Sequence, residues 1–178
     1  MNTPLSTPDL VPPGPVGVIV GNPKAGSRTL DAAGVVAAQL TGRTADFVID
    51  LATLGAGLLD WGDAAVAAAV AQVRSARLVV VASPTYKATY TGLLKLFLER
   101  FEAGSLASVT AIALQLGGDW RHALAPEAYL KPVLNEIGAS TPTSALYLLD
   151  ADAAAGFENS ATLAAWLPTA RRQLGLSA

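Results

Sequence analysis

The chain has no cysteine, a single histidine and a single methionine among its 178 residues. That absence excludes disulfides, thiolate metal sites, iron–sulfur ligation, a cysteine nucleophile and a CxxC redox pair. Any electron transfer must then be carried by a bound cofactor. Charge is scarce as well: charged residues make up 15 % and the net charge is −2. No basic stripe is left to neutralise a nucleic-acid backbone. Nor does any apolar run approach the roughly 20 residues of a membrane-spanning helix. The opening "MNTPLSTPDLVPPGP" lacks the basic and apolar regions of a signal peptide. With five prolines, residues 1–15 read as a flexible leader outside the fold. The expectation is a cytoplasmic protein with one domain over residues 16–178, in which 52 % hydrophobic residues suffice for a core.

What is present alternates between two periods. "VGVIV" (16–20), "TADFVIDL" (44–51), "RLVVVAS" (77–83, ahead of Pro84), "SVTAIALQL" (108–116) and "SALYLLD" (144–150) read as five strands. Helical spacing runs from about Arg28 through Leu40 and over Ala64–Ser75. Leu94, Phe97, Leu98 and Phe101 form an amphipathic helical face. Leu130, Val133, Leu134 and Ile137 give a further face, which Pro132 should kink or delimit. A last helix around Leu163, Trp166, Leu167 and Leu174 is interrupted by Pro168, and Gly55–Gly57 reads as a loop. The pattern implies an α/β fold, a flavodoxin-like doubly wound sheet of five parallel strands with helices on both faces. In its strand order, 2-1-3-4-5, the ligand crevice lies where the loops after strands one and three face each other.

Three segments leave that edge: "GNPKAGSRTL" (21–30), "SPTYKATYTG" (83–92) and "LGGDWRH" (116–122). One is rich in phosphate-binding groups, one in aromatics and one in glycine, which suits a ligand with a phosphate at one end and a flat ring at the other. Gly21-x4-Gly26 has the spacing that opens a Walker A loop, but Ser27-Arg28 follow where Lys-Ser/Thr is required. Strand three ends in Ala82-Ser83 without the acidic residue that would help place magnesium. G-x-G-x-x-G is missing after strand one, and Asn22 and Ser83 stand where a response-regulator receiver needs acidic residues. The remaining reading is a monophosphate held by backbone N–H groups, Ser27, Thr29 and a helix N-terminus, with charge from Lys24 and Arg28. An ordinary strand–helix turn with Gly and Ser as turn and cap residues accounts for the same stretch. Tyr86, Lys87 and Tyr90 suit a flat ring, or simple packing at a helix start. Gly117-Gly118 suit close backbone approach, or a plain turn. Lys95 and Glu99 read as a solvated helix pair, Arg171-Arg172 as a charged face, and the three tryptophans as buried or interface packing.

"GNPKAGSRT", "SPTYKATYTGLLKLFLE" and "LGGDWRHALAPEAYLKPVL" together resemble the NAD(P)H-dependent FMN reductases, from Val16 to about Leu149. The likeness is to the branch that supplies reduced flavin to two-component monooxygenases such as alkanesulfonate monooxygenase. It implies FMN as ligand, NADPH or NADH as hydride donor, a partner monooxygenase, and a homodimer or homotetramer built on the helix after Tyr90. It places the FMN phosphate at Ser27, Arg28 and Thr29, and the isoalloxazine among Pro84, Thr85, Tyr86 and Lys87, with Gly117 and Gly118 at its other edge. Tyr90 falls, by the same resemblance, where this branch has an extra helical residue, and His122 matches by spacing. Asp119-Trp120 depart from the small hydroxyl residue usual there. A quinone, azo or metal-ion reductase with tightly bound FMN is the competing enzyme reading. A flavodoxin-type electron carrier would need a Thr/Ser-x-Thr-Gly-x-Thr loop and an acidic surface, and neither is present.

Overall fold

The computed structural model describes residues 14–176. Its strands are β1 (Val16–Val20), β2 (Phe47–Asp50), β3 (Leu78–Pro84), β4 (Thr110–Gly117) and β5 (Leu146–Leu149). Its helices are α1 (Arg28–Thr41), α2 (Ala64–Ser75), α3 (Gly92–Leu98), α4 (Lys131–Glu136) and α5 (Ala161–Gln173). All strand pairs are parallel, in the order β2-β1-β3-β4-β5. This is the flavodoxin-like arrangement expected from the sequence.

The central strands read as unbroken apolar runs because helices cover both faces of the sheet. Val16, Val18, Val20, Val80 and Leu114 pack with Val36 and Leu40 of α1 and Leu163 of α5. Ile19, Val79, Val81, Ala111 and Ala113 lie in a second cluster with Val66 of α2, Phe97 of α3 and Leu134 of α4. The edge strands are shorter than their apolar runs, since each is paired on one side only. Pro84, expected to stop strand three, is its last residue and pairs in register with Leu116. A missing N–H costs little at the end of a ladder.

Proline behaves differently at the two helices it was expected to disturb. Pro132 delimits α4, in whose first turn no N–H is needed, and a π-helical turn at Pro126–Leu130 leads into it. Glu127 pins that turn to the residue before β5, accepting from Ala145 N at 2.7 Å and from Lys131 Nζ at 2.7 Å. Helix α5, by contrast, continues through Pro168. The carbonyl that loses its donor belongs to Ala164, an exposed residue, so water can satisfy it. The Gly55–Gly57 segment is helical rather than a loop: 3-10 turns at Leu51–Thr53 and Gly55–Leu59 tuck Leu51 and Leu58 into the core.

Of the proposed leader, Gly14 and Pro15 are tied to the domain. Pro15 O accepts from Arg77 N at 2.8 Å, and Gly14 O accepts from Arg43 Nη2 at 2.9 Å. The other leader residues lie outside the described ones. Among the described residues no helix is long and apolar enough to cross a membrane. Lys95 and Glu99 form the expected ion pair one turn apart. Arg171 is half-buried and joins α5 to α1 through Gln39 O at 2.6 Å, so it is more than a surface charge. Trp61 and Trp120 are exposed rather than buried. The Arg100 guanidinium covers Trp61, 4.6 Å from the ring centroid, while Trp166 Nε1 donates to Ser144 O at 2.9 Å.

Candidate functional site

The loop from β1 to α1 is shaped by its own side chains. Asn22 Nδ2 donates to Thr29 Oγ1 at 3.0 Å, and Asn22 Oδ1 accepts from Lys24 N at 2.9 Å. Gly26 sits at φ +61, the left-handed conformation that favours glycine, and reverses the chain just before the helix. Ser27 is the N-cap of α1 in position but not in bonding: its side chain caps nothing. Its buried Oγ makes no hydrogen bond within the described residues. The N–H groups of Arg28 and Thr29 open the helix and have no intrahelical acceptor. Lys24 and Arg28 are exposed around this cluster of donors. Two carboxylates reach the same loop. Asp50, at the end of β2, accepts from Gly26 N at 2.9 Å. Asp150, after β5, lies 3.9 Å from the Arg28 guanidinium, whose Nη1 also meets Asp150 O at 3.4 Å.

The loop after β3 is a tight reversal. Tyr86 N donates to Thr89 O at 2.9 Å and Thr89 N to Tyr86 O at 3.3 Å. The residues between, Lys87 (φ 52) and Ala88 (φ 70), are both left-handed without being glycine. Such backbone costs on the order of 1–2 kcal/mol per residue. The turn lifts Tyr86 and Lys87 into solvent, while Pro84 is buried and Thr85 and Tyr90 are half-buried. Tyr90 is not an extra helical residue. It precedes Thr91, the N-cap of α3, and the extra residue of a helix turn is found instead at Pro126–Leu130. Thr91 joins the two loops: its Oγ1 donates to Gly21 O at 2.5 Å and accepts from Leu94 N at 3.1 Å.

The third loop is held from β5. Tyr147 Oη donates to Asp119 O at 3.0 Å, and burial pushes the phenol above its ordinary value. A Cβ on Gly117 would stand 1.9 Å from Tyr147 Oη, so this glycine makes room for a neighbour within the protein. A Cβ on Gly118 would meet nothing within 4 Å, so its backbone is open to a ligand. Asp119 caps the short turn Trp120–His122 and grips Arg121 with both oxygens, at 3.0, 3.0 and 2.6 Å. The hydrogen bonds from Arg121 hold the Asp119 carboxyl down at about 2. Trp120 leans on Tyr147 with ring centroids 5.9 Å apart, and His122 is exposed. All three loops thus lie along the carboxyl edge, further linked by Gly21 N to Ala82 O (2.8 Å) and Thr85 N to Leu116 O (2.7 Å).

The sequence profile of the NADPH-dependent FMN reductases matches residues 15–154, which include all three loops. The chain belongs to this family. A curated FMN reductase (NADPH) from Pseudomonas aeruginosa is 33 % identical over 102 residues, covering 57 % of this chain and 55 % of that protein. The NADH-dependent FMN reductase SfnF of Pseudomonas fluorescens is 31 % identical over 80 residues, 45 % of this chain and 43 % of its own length. The match thus spans about half the length of these curated relatives. Similarity is wider in three dimensions. The apo form of an NADH:FMN oxidoreductase, EMOB, superposes with a TM-score of 0.79 at 29 % identity, over 93 % of this chain and 91 % of that one. A short-chain flavodoxin associated with a PDU bacterial microcompartment shares the fold, with a TM-score of 0.59 at 13 % identity, 90 % of this chain and 96 % of that one.

Residues that sequence reasoning passed over complete the edge of this reductase-family domain. Asp50 and Tyr147 looked like strand residues, although the strand order alone places the end of β2 beside the β1 loop. Ser83, Gln115 and Tyr147 are register neighbours across β3, β4 and β5. Gln115 is fully buried, and neither amide atom has a partner within the described residues. One glutamine inside an apolar run, Ala111 to Leu116, was the available signal.

Proposed function

We propose that the protein is an NAD(P)H-dependent FMN reductase whose three carboxyl-edge loops hold FMN. The observation that carries this is Ser27 Oγ: a buried hydroxyl without a partner among the described residues, beside free helix N–H groups and two basic side chains. A buried polar atom left unpaired costs about 1–3 kcal/mol, so the loop is preformed for an external acceptor. The donor set fits a phosphate dianion. Ser27 Oγ and the N–H groups of Arg28 and Thr29 would hold its oxygens, while Lys24 and Arg28 would supply charge. Asn22 keeps the loop in shape. Along the same edge Pro84, Thr85, Tyr86, Lys87 and Tyr90 form one wall for the isoalloxazine, and the open backbone of Gly118 the other. Gly117 supports that wall through Tyr147.

FMN supplies the redox chemistry when bound, accepting a hydride from the nicotinamide donor. The protein positions the two rings and offers charge and backbone donors, and no general base or nucleophile is required of it. Lys87, held at the tip of the reversal, would favour negative charge on the ring. Likeness to the branch serving two-component monooxygenases supports reduced FMN as a released product taken up by such a partner. It also supports a homodimer or homotetramer, which light scattering would reveal as a mass at least twice 18.1 kDa. The catalytic test is NADH and NADPH oxidation by the purified protein with and without added FMN, after recording its visible spectrum. A colourless protein whose turnover saturates with added FMN is the expected result. A yellow protein indifferent to FMN but active on quinones or azo dyes would replace this reading with the tightly bound one.

A further inference from the structure

The donors of the β1–α1 loop are not idle: carboxylates of the chain itself occupy some of them. Asp50 Oδ2 takes the N–H of Gly26, the residue before Ser27, at 2.9 Å. Asp150 stands 3.9 Å from the guanidinium of Arg28, the residue after it. Ser27, whose Oγ has no partner among the described residues, is thus flanked in sequence by two residues that internal carboxylates engage. Neither is forced there by burial: Asp50 and Asp150 are both partly exposed. Asp50 also caps the turn that follows β2, accepting from Ala52 N at 3.4 Å. An asparagine could keep the shorter of these bonds, its Oδ1 accepting from Gly26 N, without the charge; the long contact to Ala52 N would be given up.

We infer that Asp50, seconded by Asp150, braces the phosphate loop while holding down its affinity for the FMN phosphate. This rests on the reading of that loop as the FMN phosphate site. By taking the Gly26 N–H, Asp50 shapes the loop for a phosphate, but its negative charge opposes a dianion held at the same loop. At separations of several ångströms near a protein surface, such repulsion is worth a fold-change of about ten in affinity. Asp150 acts more weakly, by drawing part of the Arg28 charge to itself. Both are positioning residues, since neither is placed against the ligand. The consequence is a flavin that exchanges readily, as a substrate and released product must.

Dissociation constants for FMN and for riboflavin, which lacks the phosphate, measured by flavin fluorescence test this in the whole chain. Asp50→Asn is expected to bind FMN about tenfold tighter and riboflavin unchanged. Asp150→Asn should give a smaller gain, again for FMN alone. Asp50→Ser removes the same charge and serves if Asp50→Asn does not fold. FMN binding that is unchanged or weakened in the charge-removing variants, or riboflavin tightening alongside FMN, would overturn the inference. A wild-type protein that binds FMN no better than riboflavin would instead overturn the phosphate-site reading on which it rests.

Discussion

At the scale of single residues, Ser27 and Gly117 show how one atom decides a role. Ser27 Oγ bonds nothing within the described residues, so its removal leaves the fold intact. Ser27→Ala should raise the denaturation midpoint of the flavin-free protein, since the unpaired hydroxyl is gone, and weaken FMN binding by about tenfold or more, the loss of a hydrogen bond to a charged group. Titration with FMN beside riboflavin checks this, because only FMN should respond. Gly117 is the opposite case. Its sequence context suggested ligand approach, but the space is taken by Tyr147 Oη, 1.9 Å from where a Cβ would sit. Gly117→Ala should destabilise the fold by about 1–3 kcal/mol, the usual cost of overpacking. Combining it with Tyr147→Phe should recover part of that loss in denaturant melts.

At the scale of elements, the segment between β3 and α3 couples two loops and stores strain. Thr91 caps α3 and also satisfies the buried carbonyl of Gly21. Thr91→Val should cost about 2 kcal/mol, joining a lost cap to an unpaired acceptor, while Thr91→Ser should retain most of the stability. Ala88, at φ 70, is the position where glycine should help. Ala88→Gly is expected to raise stability by about 1 kcal/mol by relieving left-handed strain, again read from denaturant melts. The elements themselves were legible where periodicity was strong: β1 and α2 have the bounds their patterns suggested. They were least legible where the pattern is read through neighbours. The ends of β2 and β5 depend on pairing partners, and the 3-10 turns at Leu51–Leu59 depend on a core that local sequence does not show. That α5 continues through Pro168 depends on a carbonyl being exposed, which is a tertiary fact.

At the scale of the whole molecule, strand order does most to build the site. Placing β1 between β2 and β3 brings the three loops to one edge, and this order was readable from alternation and length alone. What could not be read was which side chain answers which across the sheet. Asp50 reaches Gly26 and Tyr147 reaches Asp119 over sequence separations of 24 and 28 residues. Local motifs carry no trace of such pairings. Tyr147 also gives the fold a pH dependence. Burial raises its pKa above the ordinary value of 10.0, so the unfolded chain ionises first. Stability from this group is present in full below pH 10 and is lost as pH rises through the raised value. Melts of the wild type and Tyr147→Phe from pH 8 upward should keep a constant gap, set by the lost hydrogen bond to Asp119 O, until about pH 10, above which the gap changes and the variant shows the flatter limb.

The contact between Gly117 and Tyr147 also has an evolutionary consequence. Positions 117 and 147 make one decision between them, because a side chain at the first removes the room for a phenol at the second. Among related sequences the two should vary together: a tyrosine at the β5 position only where the β4 strand ends in glycine, and a smaller residue wherever it does not. Change at this glycine would then follow the partner strand, whatever the protein acts upon.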